Sequence, residues 1–327
     1  MDYTGWLRTF TLTLGLLCRW AFGWGEIGHQ LIARTAAQLV SQHPQIEKLK
    51  KENPALVEKF LLTFSGARIE LGHLANIPDL YWRSLDGGWT EEGNLLGAPT
   101  HYFDSEHFSE VTDADYFSTK IPLAYELAKA FPVRNIFVDP ARNLKTSPLV
   151  FFKDTGTAPW RAQQFSDLLT WSLQNQGDCA TSEKTIPSAT ATALGFAGLM
   201  AHFTGDASQP YHATADSDAA FEGQRGLHWY FENDLVNALP EWWLVKEVSD
   251  RARKLLLSGP ELAGSVSALR SKAHEIYGEA AKRDDVTALM VALLADSYGW
   301  KKSVQQLDLK FAVPTLGEAQ KMPECAE

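Results

Sequence analysis

Along most of residues 24–327 apolar side chains recur at intervals of three and four, the spacing of one helix face and not the alternation of a strand. Ile27, Leu31, Ile32, Ala36, Leu39 and Val40 form one such stripe. Val286, Leu289, Met290, Leu293 and Leu294 form another, with Asp284 and Asp285 suited to start that helix. Further helices are expected over 54–65, 121–131, 161–175, 187–206, 226–238, 241–257 and 262–282. The stretches Asp86 to Pro99, Arg134 to Pro159 and Gln209 to Gln224 are rich in Gly, Pro, Asp, Asn or Ser and read as irregular connections, the last rimming a site. No repeat or low-complexity tract interrupts the pattern. The expectation is an all-α chain forming one domain over 24–327.

The first 23 residues follow a different pattern. Their only charges are Asp2, Arg8 and Arg19, their apolar core runs from Phe10 to Cys18, and small residues stand at Ala21 and Gly23. That is the form of a secretory signal peptide cleaved after Gly23, with a buried amphipathic first helix as the alternative. Cleavage makes Trp24 the mature amino terminus and the protein secreted or periplasmic. The apolar run is shorter than the roughly 20 residues that span a bilayer. Ile186 to Gly205 lacks Asp, Glu, Lys and Arg, but Pro187, Ser188, its threonines and His202 suit a buried helix better than lipid.

Charge narrows the function classes. A net charge of −10 gives no generic affinity for polyanions, so any nucleic-acid binding needs a local site, for which bound cations could supply the charge. After removal of 1–23 only Cys179 and Cys325 remain, in no zinc-finger spacing; they form one disulfide or stay as free thiols.

The candidate chemistry therefore rests on histidine and carboxylate. In His202-Phe203-Thr204-Gly205-Asp206, the histidine and aspartate lie four apart and share a helix face, and Pro210 then breaks the helix and lets His212 fold back. His228 and Glu232 repeat the spacing on the next helix. Asp79 in Asn76-Ile77-Pro78-Asp79 and His101 in Thr100-His101-Tyr102 add a carboxylate and an imidazole from loop or helix-start contexts. A free Trp24 would offer its amine and carbonyl beside His29. One His-x-x-x-Asp pair alone is as compatible with a structural pair as with a ligand pair, but two such pairs with the other contexts point to a metal site within a helical bundle. Nitrogen and oxygen donors without thiolate suit zinc, with manganese or iron open.

On these motifs the stretch from Trp24 to about Glu232 resembles the plant and fungal single-strand-specific zinc nucleases and their relative, bacterial zinc-dependent phospholipase C. The resemblance implies a mostly helical domain with three zinc ions in a cleft. Asp79, His101, His202 and Asp206 would hold the first and His212, His228 and Glu232 the second. The Trp24 amine and carbonyl, His29 and a bridging Asp206 would hold the third. It further implies phosphodiester hydrolysis by metal-activated water, with Asp79 orienting that water and a nearby arginine clamping the phosphate. The nucleases carry that arginine three residues after the Asp79 position; here Trp82 stands there and Arg83 follows, so Arg83 takes the role, solvent-exposed helix charge being the alternative. Tyr102 and Asp104 match the residues that stack on and bond a base, an arrangement suited to unpaired strands, although ordinary cleft packing remains open for Tyr102.

The spacing from Trp24 to His29 is similar to the nucleases, whereas Glu232 is similar to the phospholipase, since the nucleases place Asp there. The segment between His101 and His202 is longer than in either branch. The expected activity is endonucleolytic cleavage of single-stranded DNA or RNA, with phospholipase C as the alternative and a non-catalytic zinc-holding domain as a third reading; no stable protein partner is expected. His43, His107 and His274 read as solvated, His73 stays open between a solvated residue and a partner orienting a carboxylate, and most of the tryptophans, among them Trp82, Trp89, Trp160, Trp171, Trp229, Trp242 and Trp243, read as packing residues.

Overall fold

The computed structural model describes residues 25–40, 44–52, 66–82, 97–104, 156–174, 186–214, 216–219, 223–257 and 286–311, two short strands, and isolated positions between 54 and 64 and at 271. Trp24, Arg83, Trp89, His43, His107, His274, Cys179, Cys325 and the leader 1–23 lie outside the described residues, as do the helices expected over 121–131 and nearly all of 262–282.

The described chain is helical. Its α-helices are α1 (Glu26–Val40), α2 (Pro44–Glu52), α3 (Arg68–Ala75), α4 (Ala158–Gln174), α5 (Ile186–Ala207), α6 (Glu241–Leu257), α7 (Val286–Tyr298) and α8 (Lys301–Phe311). Short tight turns carry the remaining site residues: a π-helical turn at Pro78–Trp82 and 3-10 turns at Ala98–Thr100 and Pro210–Ala213. The helix expected over 226–238 forms as Leu227–Trp229, Tyr230–Asp234 and Leu235–Asn237, its middle π-helical. None of the described helices is long and apolar enough to cross a membrane.

Three features correct the sequence reading. Helices α2 and α3 are additional to the expected set; α3 buries only Leu71, Gly72 and Ala75 and leaves Ile69 exposed, so its apolar stripe is faint. An antiparallel pair, β1 (Phe137–Asp139) with β2 (Leu144–Thr146), lies within the expected irregular stretch from Arg134 to Pro159, in the register Phe137↔Thr146. Trp171, Trp229, Trp242 and Trp243 are exposed and not packing residues, whereas Trp82 and Trp160 pack against the core.

Helix α5 is central. It packs along α4, and α3 lies against both α5 and α1, while α7 covers α4 and α5. Phe203 and Met200 of α5, Leu169 of α4, Leu71 of α3 and Val291 and Leu294 of α7 are all fully buried in one cluster. Each such large side chain contributes about 1.5–3 kcal/mol by leaving water. Close approach sets the geometry of the site. A Cβ on Gly198 would stand 2.5 Å from Leu74 Cβ, and one on Gly205 would stand 3.0 Å from His29 Nδ1. Glycine at these two positions lets α3 and α1 lie against α5.

Candidate metal centre

The close contact at Gly198 brings the end of α3 beside His202, whose Nδ1 donates to the Ala75 carbonyl at 2.7 Å. Its Nε2 is thereby the nitrogen that faces Asp206, one turn further along α5. The contact at Gly205 stacks the His29 ring of α1 on His202 at 3.9 Å between centroids. His101 arrives from the end of the 3-10 turn, which Thr100 closes by donating from Oγ1 to the Gly97 carbonyl. Asp79 comes from the π-helical turn that follows α3.

These residues meet around Asp206. Its Oδ2 lies 3.0 Å from His101 Nδ1 and 3.2 Å from His202 Nε2, while its Oδ1 lies 3.2 Å from His29 Nε2 and 3.6 Å from His212 Nδ1. Asp79 spans the same two sides, with Oδ1 3.6 Å from His101 Nδ1 and Oδ2 3.8 Å from His29 Nε2. A second cluster has Glu232 Oε1 at 3.0 Å from both His212 Nε2 and His228 Nε2. Three groups result, His29 with His202 and Asp206, Asp79 with His101 and His202, and His212 with His228 and Glu232. In each the three donor atoms lie within 4.8 Å of one another.

Such spacing can hold a metal ion. Ligand atoms about 2.0–2.1 Å from a tetrahedral ion stand about 3.3 Å apart, close to the separations found here. Among the described residues, the buried atoms Asp206 Oδ1, His228 Nε2, His29 Nδ1 and His101 Nε2 have no hydrogen-bond partner. For the first two, short separations without hydrogen-bond geometry mean that the side chains converge on a common point and not on each other.

The two clusters are tied through the backbone. Phe103 N donates to the His212 carbonyl at 2.9 Å, and His212 Nδ1 donates to the His101 carbonyl at 2.8 Å, which leaves its Nε2 for the Glu232 side. Gln209, fully buried, donates from Nε2 to Glu232 Oε1 at 3.0 Å while its Oε1 accepts from Tyr211 N. Gln209 is absent from the candidates named by sequence; its place between Asp206 and Pro210, where a helix must end and turn, is the signal that could have found it. Gly25 N donates to the Glu232 carbonyl at 3.2 Å, so the chain enters α1 beside the second cluster.

Electrostatics follow from this crowding. Burial alone would raise the Asp206 carboxyl, but His202 and His212, with hydrogen bonds to His101 and His202, hold it well below the usual range. Glu232 is likewise held well down against its burial by His228 and His212. Asp79 is lowered too, its burial outweighed by His202, His101 and His29. His212 has burial working against its charge, yet Asp206 and Glu232 push it up to about 9. Without a metal, then, a proton on His212 supplies the positive charge between two carboxylates.

His73 is exposed on α3, which favours the solvated one of its two readings. Tyr102, next to His101, and Asp104, three positions after it, are half-buried. Gly156 has φ +85°, where L side chains are strained, and its Cβ would overlap the Tyr102 carbonyl oxygen at 2.0 Å. That approach lets Ala158 N donate to the Tyr102 carbonyl and seats the start of α4 against the site. No family model, no curated protein and no solved structure matches the chain.

Proposed function

We propose that the chain is a zinc-dependent phosphodiesterase that cleaves single-stranded DNA or RNA. The observation that carries the proposal is the divergence of the Asp206 carboxylate, one oxygen toward His29 and the other toward His101 and His202. A single structural ion needs one closed set of ligands; a carboxylate shared between two sets suits paired ions. In this reading Asp79, His101, His202 and Asp206 hold one zinc, and His212, His228 and Glu232 another. His29, Asp206 and the amine and carbonyl of Trp24 hold a third. The leader 1–23 is removed on export, and 24–327 forms one domain of the nuclease and phospholipase C type.

When bound, ions so paired supply an activated water and neutralise the charge of a phosphate. The chain's own residues do the rest. Asp79 keeps 36% of its side chain open to solvent, so its ionised carboxylate can accept a hydrogen bond from the attacking water and orient it. The carbonyls of Ala75 and His101 fix the His202 and His212 rings through Nδ1–H. Tyr102 is assigned the stacking of an unpaired base and Asp104 a hydrogen bond to it, and Arg83 a phosphate contact.

A second reading, phospholipase C, is favoured by Trp229 and Tyr230, exposed on the helical stretch that carries His228, because such rings settle at lipid–water interfaces. Assay of the zinc-loaded protein on denatured DNA, RNA and phosphatidylcholine tests both. Cleavage of the nucleic acids supports the first reading, turnover of lipid alone replaces it with the second, and zinc-dependent folding without any hydrolysis leaves a metal-holding domain.

A further inference from the structure

An anionic substrate approaching a chain of net charge −10 gains from a fixed cation beside the metal centre, and Arg161 has the properties of one. It stands in the first turns of α4, whose start is bonded to the Tyr102 carbonyl through Ala158 N and to the Pro99 carbonyl through Thr157 N, on either side of His101. Its guanidinium lies over two rings, 5.9 Å from the centroid of Trp82 and 5.9 Å from that of Phe165. Trp82 closes the turn that carries Asp79. The aromatic wall then continues inward: Trp82 lies 6.2 Å from Phe203, and Phe203 packs on His202 at 5.0 Å and His101 at 5.4 Å.

The side chain is half-buried, and burial lowers its pKa. Among the described residues no carboxylate pairs with it; its one hydrogen bond there runs from Nη1 to the neutral Gln164 Oε1 at 2.7 Å. Aromatic rings engage the face of a guanidinium and leave its edge free, and the edge carries five N–H donors in a fork that fits phosphate oxygens. Among the described residues, the two rings and the neutral Gln164 amide hold the guanidinium in place without cancelling its charge.

We propose that Arg161 is a substrate-binding residue that receives a phosphate oxygen of the diester held at the metal centre, the aromatic pair Trp82 and Phe165 fixing its fork. This rests on the phosphodiesterase reading and adds to it a residue far in sequence from the position where Trp82 replaces the arginine of the similar nucleases.

The test is titration of inorganic phosphate into the zinc-loaded full chain, comparing R161Q and R161K with wild type, with metal content measured alongside. Loss of a charged hydrogen-bonding partner weakens phosphate binding about 10- to 100-fold in R161Q, with zinc content unchanged. The KM for denatured DNA rises by a similar factor. R161K keeps the charge but not the fork and falls between. Phosphate binding within twofold of wild type in both variants overturns the assignment, and if R161Q does not fold, wild-type binding by R161K alone does so. Should wild type cleave DNA while R161Q and R161K are undiminished, only Arg161 is reassigned. Should the zinc-loaded wild type neither bind phosphate nor hydrolyse any diester, the phosphodiesterase reading fails and this assignment with it.

Discussion

His202 Nδ1 donates to the carbonyl of Ala75 at 2.7 Å, and this bond between α5 and the last residue of α3 decides which nitrogen faces Asp206. The bond exists because Gly198 lets the two helices touch, its neighbour across the contact, Leu74, standing one residue before Ala75.

Gly198→Ala therefore strikes the site from a distance. Its Cβ meets Leu74 Cβ at 2.5 Å, so the helices must part. Overpacking of this kind costs about 1–3 kcal/mol, visible as a lower urea midpoint. Zinc affinity should fall as well; a variant with unchanged midpoint and unchanged affinity refutes the link between helix approach and ring orientation.

Asp206→Asn removes the one carboxylate that reaches both sides of the centre at hydrogen-bonding distance among the described residues. Breaking a buried ionic cluster by removing one partner costs about 3–5 kcal/mol when no metal compensates. Elemental analysis should find fewer ions bound per chain, and hydrolysis should be lost. Full metal content with normal turnover would show that the carboxylate bridges nothing.

Gln209→Leu keeps the approximate volume of the side chain but removes both its bonds, the donor to Glu232 and the acceptor for Tyr211 N. Loss of a group that orients a ligand typically weakens metal affinity about 10- to 100-fold. Competition with a chelator measures it, and the effect should be confined to one ion, the one at Glu232. Equal release of every ion would mean that Gln209 supports the fold and not the Glu232 site.

The chelated protein should lose stability at both ends of the pH range. Asp206 and Glu232 have lowered folded pKa values, so their contribution is present above the unfolded values and disappears as pH falls through the folded ones. His212 has a raised value of about 9, so its contribution is complete below the unfolded value of 6.5 and disappears as pH rises through about 9. A metal must displace that proton, so zinc affinity should climb as pH rises from 6.5 to about 9 and then level. Thermal melts and metal titrations from acid to mildly alkaline pH follow both trends; an affinity independent of pH would contradict the protonated His212.

The helical class and the histidine–carboxylate pairs were legible because the helix period is rigid: residues four apart, such as His202 with Asp206 and His228 with Glu232, must share a face whatever surrounds them. Asp79 and His101 could be named from their neighbours but not oriented, since a π-helical and a 3-10 turn aim them. Gly198 and Gly205 carry no chemical label, and their meaning lies in what approaches from α3 and α1. The Ala75 carbonyl belongs to the backbone and has no signature at all. Tryptophan misled because size suggests burial without direction; Trp242 and Trp243 ride the outer side of α6, where Leu244 is the residue that packs inward.

The most direct measurement is an anomalous-difference map at the zinc absorption edge, from crystals of the chain beginning at Trp24. Three peaks are expected, two of them flanking the Asp206 carboxylate and one between His212, His228 and Glu232. A map without a peak within bonding distance of Asp206 would contradict it.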